Sequence, residues 1–252
     1  MGPGYLRPID ADRVIGEDGG MVARYDAVAD VYGAGEDHYE GAAVAALLAL
    51  VGPAPGPRAL DVACGHGLVA RELARRGAAV TGIDVSERLL DKARATVGPS
   101  IEYVLGDATD DEVLAGCEFE LVTSNFGLSD IDDLDGLCHT VARVLVPGGR
   151  FVFSILHPCF GGGGDVSSSW PSGGTYRDEG WWRADGERST LRQEVGANHR
   201  TLSTYVNTLI SHGLVVERLV EPAPEPEWAA TRPKAAAQPV YLVVACRRAP
   251  IA

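Results

Sequence analysis

The chain has 252 residues and a formal net charge of −13, with a pI near 4.8; that length suits one large α/β domain with insertions. The acidity excludes a nucleic-acid backbone or an anionic membrane as the natural partner, since both recruit clustered Lys and Arg, and it favours a small-molecule substrate. Five cysteines, Cys64, Cys117, Cys138, Cys159 and Cys246, are odd in number and scattered. Without a C-x-x-C pair they suit reduced thiols and suggest no metal site.

The opening residues lack the apolar core of a signal peptide, and the longest apolar run, Ala42 to Val51, is too short to span a bilayer, so a cytoplasmic location is expected. Residues 1–20, rich in Gly, Pro and Asp, predict a loose arm. From Met21 the pattern predicts a helix to Tyr32, with Tyr25, Val28, Ala29 and Tyr32 on one face. A second helix, Ala42 to Val51, presents Val44, Leu47, Leu48 and Val51 and stops at Gly52-Pro53. The two form a cap over residues 21–51.

The stretch Arg58-Ala59-Leu60-Asp61-Val62-Ala63-Cys64-Gly65-His66-Gly67 reads as a buried strand entering a glycine turn that opens a helix. Asp61 falls at the carboxyl end of that strand, where an α/β sheet opens its ligand crevice, and the glycines let backbone approach a ligand closely. Val69 and Leu73 continue as a helical face to Gly77. Ala79 to Asp84 is a second strand ending in an acid, which can accept hydrogen bonds from both hydroxyls of a ribose, with Val85 next to it. Ser86 caps a helix whose Leu89, Leu90, Ala93 and Val97 face the sheet. A third strand, Ile101 to Leu105, leads to Gly106-Asp107-Ala108; here Asp107 also reads as a plain turn acid. The fourth, Glu118 to Phe126, ends in a polar-aromatic tip that puts Asn125 and Phe126 at the crevice. The acidic run Asp130, Asp132, Asp133 and Asp135 lacks the glycine and terminal glutamate of a calcium loop. The next helix carries Leu134, Leu137, Cys138, Val141, Val144 and Leu145, and Pro147-Gly148-Gly149 turns into a strand from Arg150 to Leu156.

Three of these motifs carry a family resemblance. Asp61-x-Ala63-x-Gly65-x-Gly67 resembles motif I of the class I S-adenosylmethionine-dependent methyltransferases of small-molecule type. Val144-Leu145-Val146-Pro147-Gly148-Gly149-Arg150-Phe151 is similar to the L-x-P-G-G turn before their fifth strand, and Tyr25-Asp26-x-x-Ala29-x-x-Tyr32 is similar to their opening helix. The resemblance covers roughly residues 22–247. It implies a Rossmann-like, doubly wound seven-stranded sheet with helices on both faces and the last strand antiparallel, over a single domain spanning 21–252. It further implies S-adenosyl-L-methionine as cofactor. Asp61, Ala63, Gly65 and Gly67 would surround its amino-acid end, Tyr25 and Tyr32 would lie over it, Asp84 would meet the ribose, Asp107 and Ala108 the adenine, and Val85 would line the cofactor site. Asn125 completes the cofactor set.

Beyond His157-Pro158 the chain becomes glycine- and serine-rich, and all four tryptophans follow residue 169. A stretch this long between elements predicts a lid or substrate insertion over 157–199, anchored by Trp181 and Trp182. Helical order returns with Leu202, Tyr205, Val206, Leu209 and Ile210. Leu214 to Val220 and Val240 to Cys246 then form two last strands around a proline-rich loop.

Methyl transfer from a sulfonium is an in-line displacement with an activated electrophile, so the protein mainly aligns the reactants, excludes water and manages one proton. If the acceptor is O or N on a small molecule, a base near neutral pKa helps; His157 is the best-placed candidate, with His199 second. Each also reads as an ordinary backbone-bonded histidine, and His66 as a shaper of the glycine loop. A homodimer stays open. Two other readings compete. Gly65-x-Gly67-x-x-Ala70 with Asp84 also fits a relaxed fingerprint of NAD(P)-dependent oxidoreductases, although Asp61 would then repel the pyrophosphate. The chain could also bind the sulfonium without transferring methyl.

Overall fold

The computed structural model describes residues 23–30, 32, 41–163, 166–184 and 190–250. The predicted arm, residues 1–20, lies outside them. Five parallel strands come first: β1 (Arg58–Val62), β2 (Ala79–Asp84), β3 (Glu102–Leu105), β4 (Phe119–Asn125) and β5 (Leu145–Leu156). Helices α1 (Gly41–Val51), α2 (Leu68–Arg75), α3 (Glu87–Ala95) and α4 (Leu134–Val144) precede or alternate with them. A two-stranded ribbon, β6 (Gly180–Trp182) and β7 (Ala197–His199), flanks the short α5 (Thr190–Val195). Then come α6 (Leu202–Ser211), β8 (Leu214–Val220), α7 (Pro226–Thr231), α8 (Pro233–Ala236) and β9 (Tyr241–Arg248).

The main sheet has seven strands in the order β3-β2-β1-β4-β5-β9-β8. The last strand runs antiparallel to both its neighbours. This is the expected doubly wound arrangement, and the order reverses between β1 and β4. Period-2 alternation sorts the two faces. Leu60, Val62, Val122, Phe151, Phe153 and Ile155 pack with α4 and α6 residues such as Leu137, Val141, Tyr205 and Leu209. Ala59, Leu121, Val152 and Val243 pack with Leu47 and Val51 of α1 and Val69 and Leu73 of α2. Asp61 shares the face of Ala59, and so lies under α2.

Several local expectations are corrected. Of the segment expected as a helix from 21 to 32, the described residues form a short 3-10 helix, Arg24–Val28, followed by a turn, held to α3 by Arg88 and Lys92. In α1 the buried stripe is Ala43, Leu47 and Val51 rather than one including Val44 and Leu48; a helix apolar on all sides leaves its packing face undetermined by periodicity. Helix α3 ends at Ala95, so Val97 stands fully exposed. The Pro147-Gly148-Gly149 turn is drawn into β5, with a register shift between Phe119 and Leu121 of its partner β4. The proline-rich loop holds α7 and α8, each with proline at its first turn, where a missing N–H costs nothing.

Helix α4 behaves as its stripe predicts. Replacing Leu137, fully buried against the sheet, by alanine is expected to cost about 2–5 kcal/mol of stability. Urea unfolding checks this; a loss under about 1 kcal/mol would mean that the α4 face is not the packed core described.

Candidate functional site

The carboxyl ends of β1 and β4 flank the point where strand order reverses, the place where open α/β sheets bind ligands. Ala63 and Phe126, immediately beyond these ends, are the only non-glycine residues with positive φ among the described residues, at 52° and 62°. Such backbone costs energy and persists where the surroundings impose it. The two turns meet: a Cβ on Gly127 would lie 2.6 Å from that of Ala63. Gly67 has φ +82°, and a Cβ there would collide with the Tyr103 hydroxyl. The loop from Cys64 to Gly67 is therefore pressed between Tyr103 and the strand ends.

Two carboxylates stand at this edge. Asp61, 1% exposed, accepts the Thr123 hydroxyl at 2.8 Å. Burial is the main cause that pushes its pKa up to about 7, against the lowering effects of Thr123 and the Ala70 N–H. Asp84 accepts the backbone N–H of Gly65 through Oδ2 and that of Ser86 through Oδ1, both at 2.8 Å. Burial raises its pKa, those N–H groups lower it, and Asp130 and Asp26 raise it further. Asp84 thus fixes the glycine loop and the entry to α3 together.

Tyr25 and Tyr32 lie over this loop, edge to face with ring centroids 5.1 Å apart. Tyr32 is 5.7 Å from the His66 ring. The segment is clamped to α3: Asp26 accepts the Ser86 hydroxyl, Arg88 reaches the Asp26 carbonyl and Asp30, and Lys92 reaches the Ala29 carbonyl. This clamp is not legible in the sequence, because its partners are about sixty residues apart. Val85 and Leu105 are 38% and 48% exposed, an apolar step at the ends of β2 and β3. Asp107 accepts the Thr109 N–H at 2.9 Å, the turn role weighed from sequence, beside the buried Ala108. Asn125 Oδ1 accepts the Ser154 hydroxyl at 2.7 Å.

The two histidines nominated as bases are engaged elsewhere. His157 Nδ1 accepts the Cys159 N–H at 3.0 Å, and Nε2 lies 2.9 Å from Glu221 Oε1. One ring nitrogen accepts, so the other carries the proton and donates. Burial lowers its pKa, against the raising effect of Glu221, and the backbone around it joins the Val240, Phe160 and Ser169 segments. His199, 2% exposed, meets the Tyr176 carbonyl through Nε2 at 2.9 Å, between the edges of Trp170 and Tyr176. In the ligand-free fold both imidazoles therefore bridge neighbouring segments, His157 between Cys159 and Glu221 and His199 beside Tyr176.

Among the described residues no group of His, Cys, Asp and Glu is arranged to hold a metal ion. Asp130 instead takes Tyr25 and Arg192, and Asp132 takes Arg24 and Asn198. No helix among these residues is long and apolar enough to cross a membrane.

Residues 59–149 match the family described as "Methyltransferase domain". A solved S-adenosylmethionine-dependent methyltransferase from Mesorhizobium loti is 32% identical, with a TM-score of 0.60, and the alignment covers 82% of this chain and 96% of that one. The chain belongs to the S-adenosylmethionine-dependent methyltransferases. A second such structure, from Listeria monocytogenes, is 29% identical over 76% of this chain and 91% of its own, with a TM-score of 0.59. The "Ubiquinone biosynthesis O-methyltransferase" of Thiobacillus denitrificans is 38% identical over 108 residues, 42% of this chain, and the match spans only 47% of that protein. This chain thus spans about half the length of such curated relatives. Membership decides between the two cofactors weighed from sequence in favour of S-adenosylmethionine. The residues present suit it: a cationic sulfonium and an α-amino group are matched by carboxylates, and the Val85–Leu105 step offers apolar surface to a ring.

Because the folded chain holds a proton on Asp61 that the unfolded chain releases, between the ordinary carboxylate range and about pH 7, this group's contribution to stability falls as pH rises through that window. Asp61→Asn is therefore expected to stabilise the ligand-free methyltransferase at pH 8 by about 1–3 kcal/mol, with the gain shrinking towards pH 4. Thermal melts across that range check this; an equal loss of stability at all pH values would show that the ionised carboxylate is well solvated.

Proposed function

We propose that this protein transfers the methyl group of S-adenosylmethionine to a hydroxyl or nitrogen of a small, largely apolar or aromatic molecule. The observation that carries the reading is the pair of buried carboxylates, Asp61 and Asp84, at adjacent strand ends beneath the Tyr25–Tyr32 roof. In this reading Asp61 and the backbone of 63–67 hold the amino-acid end of the cofactor. Asp84, whose two oxygens each keep a lone pair beyond their backbone bond, receives the ribose hydroxyls. Val85, Asp107 and Ala108 flank the adenine, and Asn125 borders the methyl.

S-adenosylmethionine supplies an already activated methyl group when bound. The protein's own work is to hold the two reactants in line and keep water out. Phe126, Phe160, Trp228, Val240 and Tyr241 gather into an apolar cluster beyond the ends of β4, β5 and β9, with Ala43 of α1 behind them. Phe126 carries that apolar cluster to the end of β4, a setting that suits an aromatic or apolar acceptor. With His157 and His199 committed to neighbours, the reading favours a nucleophile that parts with its proton easily, such as a phenolic or enolic hydroxyl. The O-methyltransferase relatives are consistent with such an acceptor.

Incubation with methyl-labelled S-adenosylmethionine and a panel of phenols, catechols and quinols should yield a product heavier by one methyl group. Cofactor binding without any such product across cell extracts would leave a binding protein instead. In calorimetry, Asp84→Asn is expected to weaken S-adenosylhomocysteine by about 1.5–3 kcal/mol, the scale of a charge-assisted hydrogen bond. Unchanged affinity would remove Asp84 from the site. His157→Gln should lower thermal stability while leaving that affinity intact.

A further inference from the structure

The roof over the glycine loop and the insertion after β5 are remote in sequence, yet both end on one side chain. Asp130 Oδ2 accepts the Tyr25 hydroxyl at 2.8 Å. Its Oδ1 is paired with Arg192 of α5, and both members of that pair are largely buried, at 20% and 18% side-chain exposure. A second link runs alongside. Arg24, the residue before Tyr25, bonds the Asp130 carbonyl at 3.2 Å and Asp132 Oδ1 at 2.6 Å, and its guanidinium lies 5.7 Å from the centre of the Trp181 ring in β6. Asp132 in turn accepts Asn198 of β7 at 2.8 Å.

We propose that Asp130 is a positioning residue that ties the cofactor roof to the acceptor-side insertion, so that Tyr25 and α5 seat on the cleft as one unit. The inference rests on the reading that the cofactor lies beneath Tyr25 and Tyr32. Asp130 touches neither reactant in this account; it acts through Tyr25 and Arg192. A carboxylate can serve both at once because it has two oxygens and accepts only. With a hydroxyl on one and a guanidinium on the other, each partner fixes the rotamer that the other needs. Loss of either leaves the carboxylate with one anchor, so the segment that remains is held less well. Exposed ion pairs contribute little, but this pair is shielded on both sides and shares its acid with a phenol, the arrangement in which couplings are measurable. The coupling has a catalytic consequence: the insertion is assembled over the acceptor side only when the roof is down over the cofactor, so binding of cofactor precedes productive binding of acceptor.

The test uses the whole protein with S-adenosylhomocysteine as probe. Trp170, Trp181 and Trp182 lie in the insertion, so tryptophan emission reports its seating while calorimetry reports affinity. Wild type should bind with a change in emission. Tyr25→Phe and Arg192→Gln should each weaken binding about five- to twenty-fold, and the double variant should weaken it no more than the larger single loss. Asp130→Asn should match the double variant and lose the emission change, whereas Asp130→Glu should recover part of both. Losses that multiply in the double variant, or an emission change retained in Asp130→Asn, would overturn the proposal. Should Asp130→Asn fail to fold by circular dichroism, the Tyr25–Arg192 cycle alone decides. If wild type itself does not bind the probe, the proposed function falls first; if it binds and the cycle is additive, only this inference falls.

Discussion

Taking two carboxylates out of water at the ends of neighbouring strands is the constraint on which the rest of the cleft depends. A buried acid is tolerable only with donors turned towards it, and here each donor has a structural consequence. Thr123 must occupy the register position beside Asp61 on β4. Gly65 must present its N–H to Asp84 from a left-handed loop, and Ser86 must enter α3 with its N–H facing the same acid. Gly82 is the partner of Asp61 on β2, and a Cβ there would crowd the Cys64 sulfur and the Tyr103 ring at 2.9 and 3.0 Å. Loop shape, helix entry and strand register therefore all follow from the need to satisfy two acids. The raised pKa of Asp61 marks what that satisfaction leaves uncompensated, a charge that a cationic ligand can neutralise.

Much of this was readable from the residues. The apolar runs that lead to Asp61, Asp84 and the Asn125-Phe126 tip form strands as expected, and Leu134, Leu137, Cys138, Val141 and Val144 of α4 are buried, while Leu145, expected to end that stripe, opens β5. Such patterns are local, because a strand or helix facing a core repeats its chemistry at a fixed period. What escaped the sequence depends on partners far along the chain. The roof carries a good helical pattern from Tyr25 to Tyr32, but its form is set by Ser86, Arg88 and Lys92. The partners of the acidic run are equally remote: Arg24 and Arg192 come from segments 108 and 62 residues away from the acids they pair with. His157 stands at the end of β5 as its position predicts, but its partners are not legible in the sequence: the Cys159 N–H folds back onto Nδ1, and Glu221 arrives from just beyond β8.

The two sides of the cleft are held by different forces. On one, Phe126, Phe160, Trp228 and Tyr241 form a buried apolar cluster of their own, with Phe126 and Tyr241 rings 6.1 Å apart. Opening it would expose hydrocarbon, at roughly 25 cal/mol for each Å². On the other, the insertion is fastened to the loop after β4 by polar contacts. Arg200, 9% exposed, donates to the carbonyls of Leu128, Ile131 and Asp132. Asn198 and Arg192 add theirs.

That difference bears on which side moves. Polar contacts exchange for water at small net cost, since each broken bond is replaced by one to solvent, whereas apolar area has no such substitute. Arg200 is the exception within its side, because a buried guanidinium with three carbonyl partners cannot be withdrawn from one of them without losing the others. It pins the start of α6 and the end of β7, while α5 is joined to the loop after β4 through the shielded Asp130–Arg192 pair. In the proposed reading, a cleft with one apolar side and one polar, reversible flank can admit an apolar acceptor while the flank is raised. It can then shut out water when Tyr25, Asp130 and Arg192 come together.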